Sequence, residues 1–258
     1  MKNRINQLFS ANPKNILSVY YTAGYPKLDD TVPIAKTLEE AGADIIEIGI
    51  PFSDPVADGP VIQASNKVAL DNGMNLKLLI EQVREIRKQV KLPIILMGYL
   101  NPVLQYGIEN FLKDAASAGV DGVILPDLPM FEYESGYKTM FQGAGLKNVF
   151  LISPTTSDDR IRKIDDATDS FIYAVSASST TGTKSGFSEE QENYFEKLQG
   201  MNLKNPFLIG FGISTSETFQ KAAEYSAGAI VGSAFIKAIT TPGELQSKIK
   251  DFVASLKR

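Results

Sequence analysis

The sequence predicts an α/β chain, a single (β/α)8 TIM barrel of parallel strands with extra short helices, and three observations predict it. Short, nearly continuous apolar runs recur eight times along the 258 residues. Stretches of helical spacing separate them. Several of those stretches stop at Ala-Gly immediately before the next apolar run. Runs that are apolar on both faces belong to a parallel sheet covered on both sides, and eight such units in this length favour closure over an open doubly wound sheet.

The strands are expected at residues 17–22, 44–49, 93–98, 120–125, 149–152, 171–175, 206–210 and 229–231. Between the first two, Val32, Ala35 and Leu38 recur at helical spacing, and Leu76, Leu79, Ile80, Val83, Ile86 and Val90 do so more fully before the third. Ala41-Gly42, Ala118-Gly119, Ala144-Gly145 and Ala227-Gly228 read as helix stops. Glycine takes positive φ just past a helix end without steric cost.

Two connections exceed the about two to six residues usual after a strand, 50–60 and 176–186. Pro51, Pro55 and Pro60 stiffen the first, whereas small polar residues with Gly182 and Gly186 loosen the second. A fixed binding loop and a moving lid are the corresponding expectations, with disorder expected within 178–187. No linker divides the chain, so residues 1–258 are read as one catalytic domain.

Composition narrows the chemistry. The net charge is -4, with 26 Lys and Arg interspersed among 30 Asp and Glu, so the basic stretch of a nucleic-acid binder is missing. With no Cys, disulfides, thiol nucleophiles and thiolate metal sites are excluded. With no His, proton transfer falls to carboxylates, Tyr or Lys. Residues 1–10 hold no apolar run of the secretory kind and no stretch is long enough to span a bilayer, so a cytoplasmic protein is expected.

In such barrels the chemistry sits at the C-terminal strand ends. Glu47 lies near that end of the second strand, between Ile46 and Ile48. It reads either as a desolvated acid/base or as a buried partner of a Lys or Arg from the next strand. Asp58, in the loop above, reads either as a second functional carboxylate or as an Asx-turn or helix cap; Asp54 reads as a turn former.

Gly210-Phe211-Gly212 after the seventh strand and Gly232-Ser233 after the eighth offer bare amides, one loop opening onto a helix N-terminus, as a phosphate site requires. Simple tight turns are the alternative. Tyr173 is a core aromatic or a cavity wall, and Asp127 orients a loop. Thr181 and Gly182 either complete a phosphate cage when the lid closes or are linker residues.

The run from Glu47 to Pro60, EIGIPFSDPVADGP, resembles the signature of tryptophan synthase alpha subunits. Tyr21 to Pro26, Gly98 to Pro102, Pro126 to Pro129, Gly210 to Ser214 and Gly232 to Ala234 follow in the family's order over nearly the whole chain. The resemblance implies a lyase that cleaves indole-3-glycerol phosphate to indole and glyceraldehyde 3-phosphate. It implies Glu47 as general acid/base and Asp58 as the carboxylate that binds the indole N–H.

It also implies phosphate binding at Gly182, Gly212, Gly232 and Ser233, and a cavity wall of Tyr173, Tyr99, Leu100, Leu125 and Phe211. The 51–60 loop and Asn101-Pro102 would face a beta subunit in an α2β2 complex. That partner would hold pyridoxal phosphate, this chain needing no cofactor or metal and binding neither nucleic acid nor membrane. Two departures stand out: no basic residue precedes Thr181-Gly182, and Tyr25 stands where an acidic residue is common. A free-standing lyase, a catalytically quiet phosphate-binding barrel and a sugar-phosphate isomerase are the competing readings.

Overall fold

The computed structural model describes residues 3–11, 13–176 and 186–257. Its strands are β1 (Ile16–Thr22), β2 (Ile45–Gly49), β3 (Ile94–Met97), β4 (Gly122–Ile124), β5 (Lys147–Asn148), β6 (Leu151–Ile152), β7 (Ile172–Val175), β8 (Phe207–Gly210) and β9 (Gly228–Val231). All pair in parallel, in the order β5-β4-β3-β2-β1-β9-β8-β7-β6.

The two ends of that order are neighbours in the chain. β5 pairs with β4, β6 pairs with β7, and the residues between bond to both sides: Val149 N–H donates to Val123 O and Tyr173 N–H to Phe150 O, at 3.0 and 2.9 Å. Residues 147–152 therefore fill one strand position, and the sheet closes as an eight-position barrel. The expected fifth strand, 149–152, is corrected accordingly. It begins two residues earlier and divides into two short segments, each serving a different neighbour.

Period-2 alternation sorts the side chains. Leu17, Val19 and Tyr21 face outward into the core shared with the helices, where Ala35 and Leu38 of helix Thr31–Ala41 and Leu79, Ile80, Val83 and Ile86 of helix Leu76–Arg87 are fully buried. Ile16, Ile45, Ile95, Val149, Phe171, Leu208 and Ile230 fill the barrel interior. Ser18, Tyr20 and Glu47 share that inward face, higher up.

Gly42, Gly119 and Gly145 cap their helices at φ 93°, 93° and 73°. Each stop closes with the same bond pair, Gly42 to Glu39 O and Ala43 to Leu38 O in the first, which turns the chain into the next strand. Ala227-Gly228 is different and corrects the fourth expected stop. Its helix ends earlier, at Tyr225, and Gly228 is already in β9. A Cβ there would overlap the backbone O and N of Ile16, so the glycine serves the close approach of β9 to β1.

A helix that the sequence reading missed, Arg4–Ser10, plugs the N-terminal end of the barrel. Ile5 is fully buried, Leu8 packs on the interior cluster and Phe9 meets Phe171 with centroids 5.4 Å apart. Asp121, 3% exposed, locks it in place by accepting from Arg4 Nη1, Arg87 Nη2 and Ile94 N–H, each at 3.0 Å. No helix among the described residues is long and apolar enough to cross a membrane.

Candidate active site

Glu47 points into the upper barrel from β2, opposite Tyr20 of β1 and Ile95 of β3. It has no exposed surface. Ser18 Oγ donates to its Oε1 at 2.7 Å, while Oε2 is buried with no hydrogen-bond partner among the described residues. No Lys or Arg among those residues pairs with it, so the ion-pair alternative is not what the fold builds. Burial pushes the carboxyl up to about 7, the Ser18 bond opposing that rise.

Asp58 belongs to the proline-rich loop. It does not cap the following helix Pro60–Asp71, whose N-cap is Gly59 with no side-chain bond. Its carboxyl instead meets the Tyr99 hydroxyl, and burial pushes it up to about 6 against that bond. The same hydroxyl accepts from Ala57 N–H at 3.0 Å, and the Tyr99 ring packs on Phe52 with centroids 5.2 Å apart. Gln63 Nε2 donates to Asp58 O at 2.8 Å, tying the loop to the helix that follows. Asp54 stays in a turn and accepts from Ser53 Oγ at 2.6 Å.

Asp127 orients the neighbouring loop: its two carboxylate oxygens accept from Leu100 N–H at 2.9 and 3.0 Å, at the start of helix Leu100–Tyr106. Tyr99 immediately precedes that helix, so the Asp127 bond also fixes the backbone from which the Tyr99 hydroxyl reaches Asp58.

A cavity opens between these elements, lined by Tyr20, Ile50, Asp58, Asn66, Met97, Tyr99, Pro126, Leu151 and Phe211 among others. Tyr99 and Phe211 are thus in its wall. Tyr173 is 5% exposed and sits edge-on to Phe211, with centroids 6.2 Å apart. Leu125, Leu100 and Tyr173 lie outside the lining set, and Glu47 is sealed off from solvent.

Gly49 and Gly210 leave the space that the Tyr20 and Tyr173 rings fill; a Cβ at either would overlap the tyrosine hydroxyl. Both hydroxyls are held well above the usual tyrosine range, first by burial and then by negative charge that includes Glu47 and Asp58.

Across the mouth, β8 and β9 are hydrogen-bonded neighbours, so the loops that follow them lie side by side. Phe211 and Gly212 both have positive φ, 68° and 76°, which turns the chain sharply, and Ser176 Oγ fixes the turn by donating to Phe211 O at 2.8 Å. Gly232 opens helix Ser233–Thr240, whose first amides have no side-chain cap. Ser233 is exposed at that end. Thr181, Gly182 and the lid expectation lie outside the described residues.

Ser18, Tyr20 and Asn66 escaped the sequence reading. Ser18 and Tyr20 were legible only as the inward pair of a strand containing a polar residue. Asn66 is 2% exposed, lines the cavity and carries a buried Oδ1 without a partner among the described residues, yet it looks like any polar position of an amphipathic helix. Among the described residues, no group of three or more Asp or Glu could hold a metal ion.

The family model described as "Tryptophan synthase alpha chain" matches residues 7–257. The chain belongs to the tryptophan synthase alpha-chain family. The alpha chain of Flavobacterium psychrophilum is 55% identical, the match covering 98% of this chain and 99% of that one. The Bacteroides thetaiotaomicron alpha chain is 50% identical over 96% and 98% of the two.

Among solved structures, a Legionella pneumophila alpha chain superposes with a TM-score of 0.89 at 36% identity, covering 100% of this chain and 97% of that chain. A chain from the Mycobacterium tuberculosis tryptophan synthase structure in its aminoacrylate-bound form gives 0.85 at 29% identity, with 98% of each chain covered. As an alpha chain of tryptophan synthase, the protein is a lyase of tryptophan biosynthesis built on the (β/α)8 barrel.

Proposed function

We propose that Glu47 and Asp58 divide the cleavage of indole-3-glycerol phosphate between them, Glu47 moving the proton and Asp58 holding the charge. The observation that carries this is the pair itself: a carboxyl sealed among apolar side chains with one free oxygen, beneath a cavity whose wall holds a second carboxyl. In the first step protonated Glu47 delivers its proton to indole C3. The ring becomes a cationic indolenine whose N–H donates to ionised Asp58.

Glu47, now ionised, takes the proton of the glycerol hydroxyl on the adjoining carbon. The bond between that carbon and C3 breaks, its electron pair returns to the ring, and the oxygen becomes the aldehyde of glyceraldehyde 3-phosphate. The proton given to C3 stays on the product indole, and the hydroxyl proton restores Glu47. The cycle closes without an outside acid, which suits a chain with no histidine.

The amides at Gly212, Gly232 and Ser233 would take the phosphate, and the family resemblance adds Thr181 and Gly182. Tyr99 and Phe211, in the cavity wall, would contact the indole ring, with Tyr173 packed behind Phe211. Exposed apolar side chains near the mouth, Val56 at 87% and Leu104 at 46%, support a beta-subunit partner against the 50–60 loop and helix Leu100–Tyr106 in an α2β2 assembly. Pyridoxal phosphate belongs to that partner, which would receive the indole.

Indole release from indole-3-glycerol phosphate, measured alone and with a beta subunit, tests the reading. Glu47→Gln should lower turnover by about two to four orders of magnitude with ligand affinity little changed. Undiminished turnover in that variant would overturn it.

A further inference from the structure

The hydrogen bond between Ser18 and Glu47 does more than satisfy a buried hydroxyl. Both residues are fully buried, on adjacent strands whose register sets Ser18 against Ile45 and Tyr20 against Glu47. The Ser18 hydroxyl therefore meets the carboxyl from its N-terminal side, the side away from the barrel mouth. It engages Oε1 alone, leaving Oε2 as the oxygen with no partner among the described residues.

A glutamate carboxyl otherwise turns through a broad range about its last torsion, exchanging its two oxygens freely. One short bond from a rigid strand removes that freedom. We propose that Ser18 is a positioning residue for the lyase reaction, its hydroxyl holding Oε1 of Glu47 so that Oε2 is the oxygen that gives and takes the proton. This rests on Glu47 being the acid/base.

The surroundings leave Ser18 as the group able to do it. The titratable side chains that face Glu47 are Tyr20 on β1 and Tyr173 on β7, both kept neutral by burial, and no cation among the described residues is paired with Glu47. β3 presents Ile95 at this level. Because the Ser18 bond favours the ionised carboxyl, losing it raises the pH at which Glu47 ionises.

The test compares Ser18→Ala and Ser18→Thr with the unaltered chain, using indole-3-glycerol phosphate as substrate. In Ser18→Ala, kcat should fall on the order of tenfold with KM little changed, and the alkaline limb of the kcat/KM profile should move up by on the order of one pH unit. Ser18→Thr, which keeps the hydroxyl, should restore both. Infrared titration of the Glu47 carboxyl without substrate should show the same upward displacement in Ser18→Ala, assigned by its disappearance in Glu47→Gln.

A Ser18→Ala chain with unchanged limb, titration and kcat overturns the positioning role while leaving Glu47 as the acid/base. A displaced titration alongside full turnover in Glu47→Gln overturns it from the other side, because the bond then serves a group the reaction does not use. A folding defect is recognised separately, as loss of kcat in both serine variants with no change in the titration, and that too counts against the proposal.

Discussion

A carboxyl group closed in among isoleucines and tyrosines ionises late, and Glu47 and Asp58 are closed in to different degrees. With Asp58 pushed up to about 6 and Glu47 to about 7, the pair has a narrow window in which the first is ionised and the second protonated. The kcat/KM profile should therefore be bell-shaped, rising as pH passes 6 and falling as it passes 7, and a profile flat from pH 5 to 9 would contradict the assignment. The same burial sets a stability trend. A carboxyl whose folded-state value is raised favours folding below its unfolded value and opposes it once pH climbs through the folded one. The rise from 4.5 to about 7 corresponds to about 3 kcal/mol, so Glu47→Gln should be the more stable protein by up to that amount at pH 8 and near neutral in effect at pH 4.5, by urea denaturation. Glu47 was legible as a candidate because a charge near the end of an apolar run, in a chain without histidine, leaves few alternatives, whereas Asp58, in the proline-rich loop, read equally as a turn or cap former and drew its role from the family resemblance. Ser18 and Asn66 were not legible, since a lone Ser or Asn carries no mark of what it faces until β1 is registered against β2 and helix Pro60–Asp71 is laid over the barrel.

Elements were readable where backbone chemistry is local. Three Ala-Gly stops end helices as expected, because the positive φ and the closing bonds fall within six residues of sequence. The fourth failed for a non-local reason: Gly228 answers to Ile16, more than two hundred residues away. Its substitution by Ala should destabilise the fold by more than about 3 kcal/mol, since the obstacle is backbone that cannot move aside. Gly143 inside helix Lys138–Ala144 is the control. A methyl there meets open space, so Gly143→Ala should stabilise by about 0.5–1 kcal/mol, and thermal unfolding of the two variants should displace the midpoint in opposite directions. The division of residues 147–152 was equally hidden, because one strand position that pairs with β4 through its first half and β7 through its second is a property of ring closure rather than of those six residues.

Across the whole molecule, the barrel's plugged end lies opposite the end where the reaction is proposed. The N-terminal end is closed by helix Arg4–Ser10 and held by Asp121, which ties that helix, helix Leu76–Arg87 and β3 to one carboxylate. Asp121→Ala would leave the half-buried Arg87 without its carboxylate, keeping only backbone carbonyls as acceptors, and should cost about 3–5 kcal/mol in chemical denaturation, while the pH dependence of indole release keeps its limbs. The closed barrel itself was legible from eight strand and helix alternations; its plug was not, since seven residues ahead of the first strand have too short a period to read. At the reactive end, the tyrosine rings that occupy the space over Gly49 and Gly210 have a consequence for how this sequence can change. Each glycine and its facing tyrosine share one volume: Gly49 with Tyr20, Gly210 with Tyr173. A larger residue at either glycine requires the facing tyrosine ring to move aside or to give way to a smaller side chain, so the space available at the reactive end is set by the glycine and the tyrosine together.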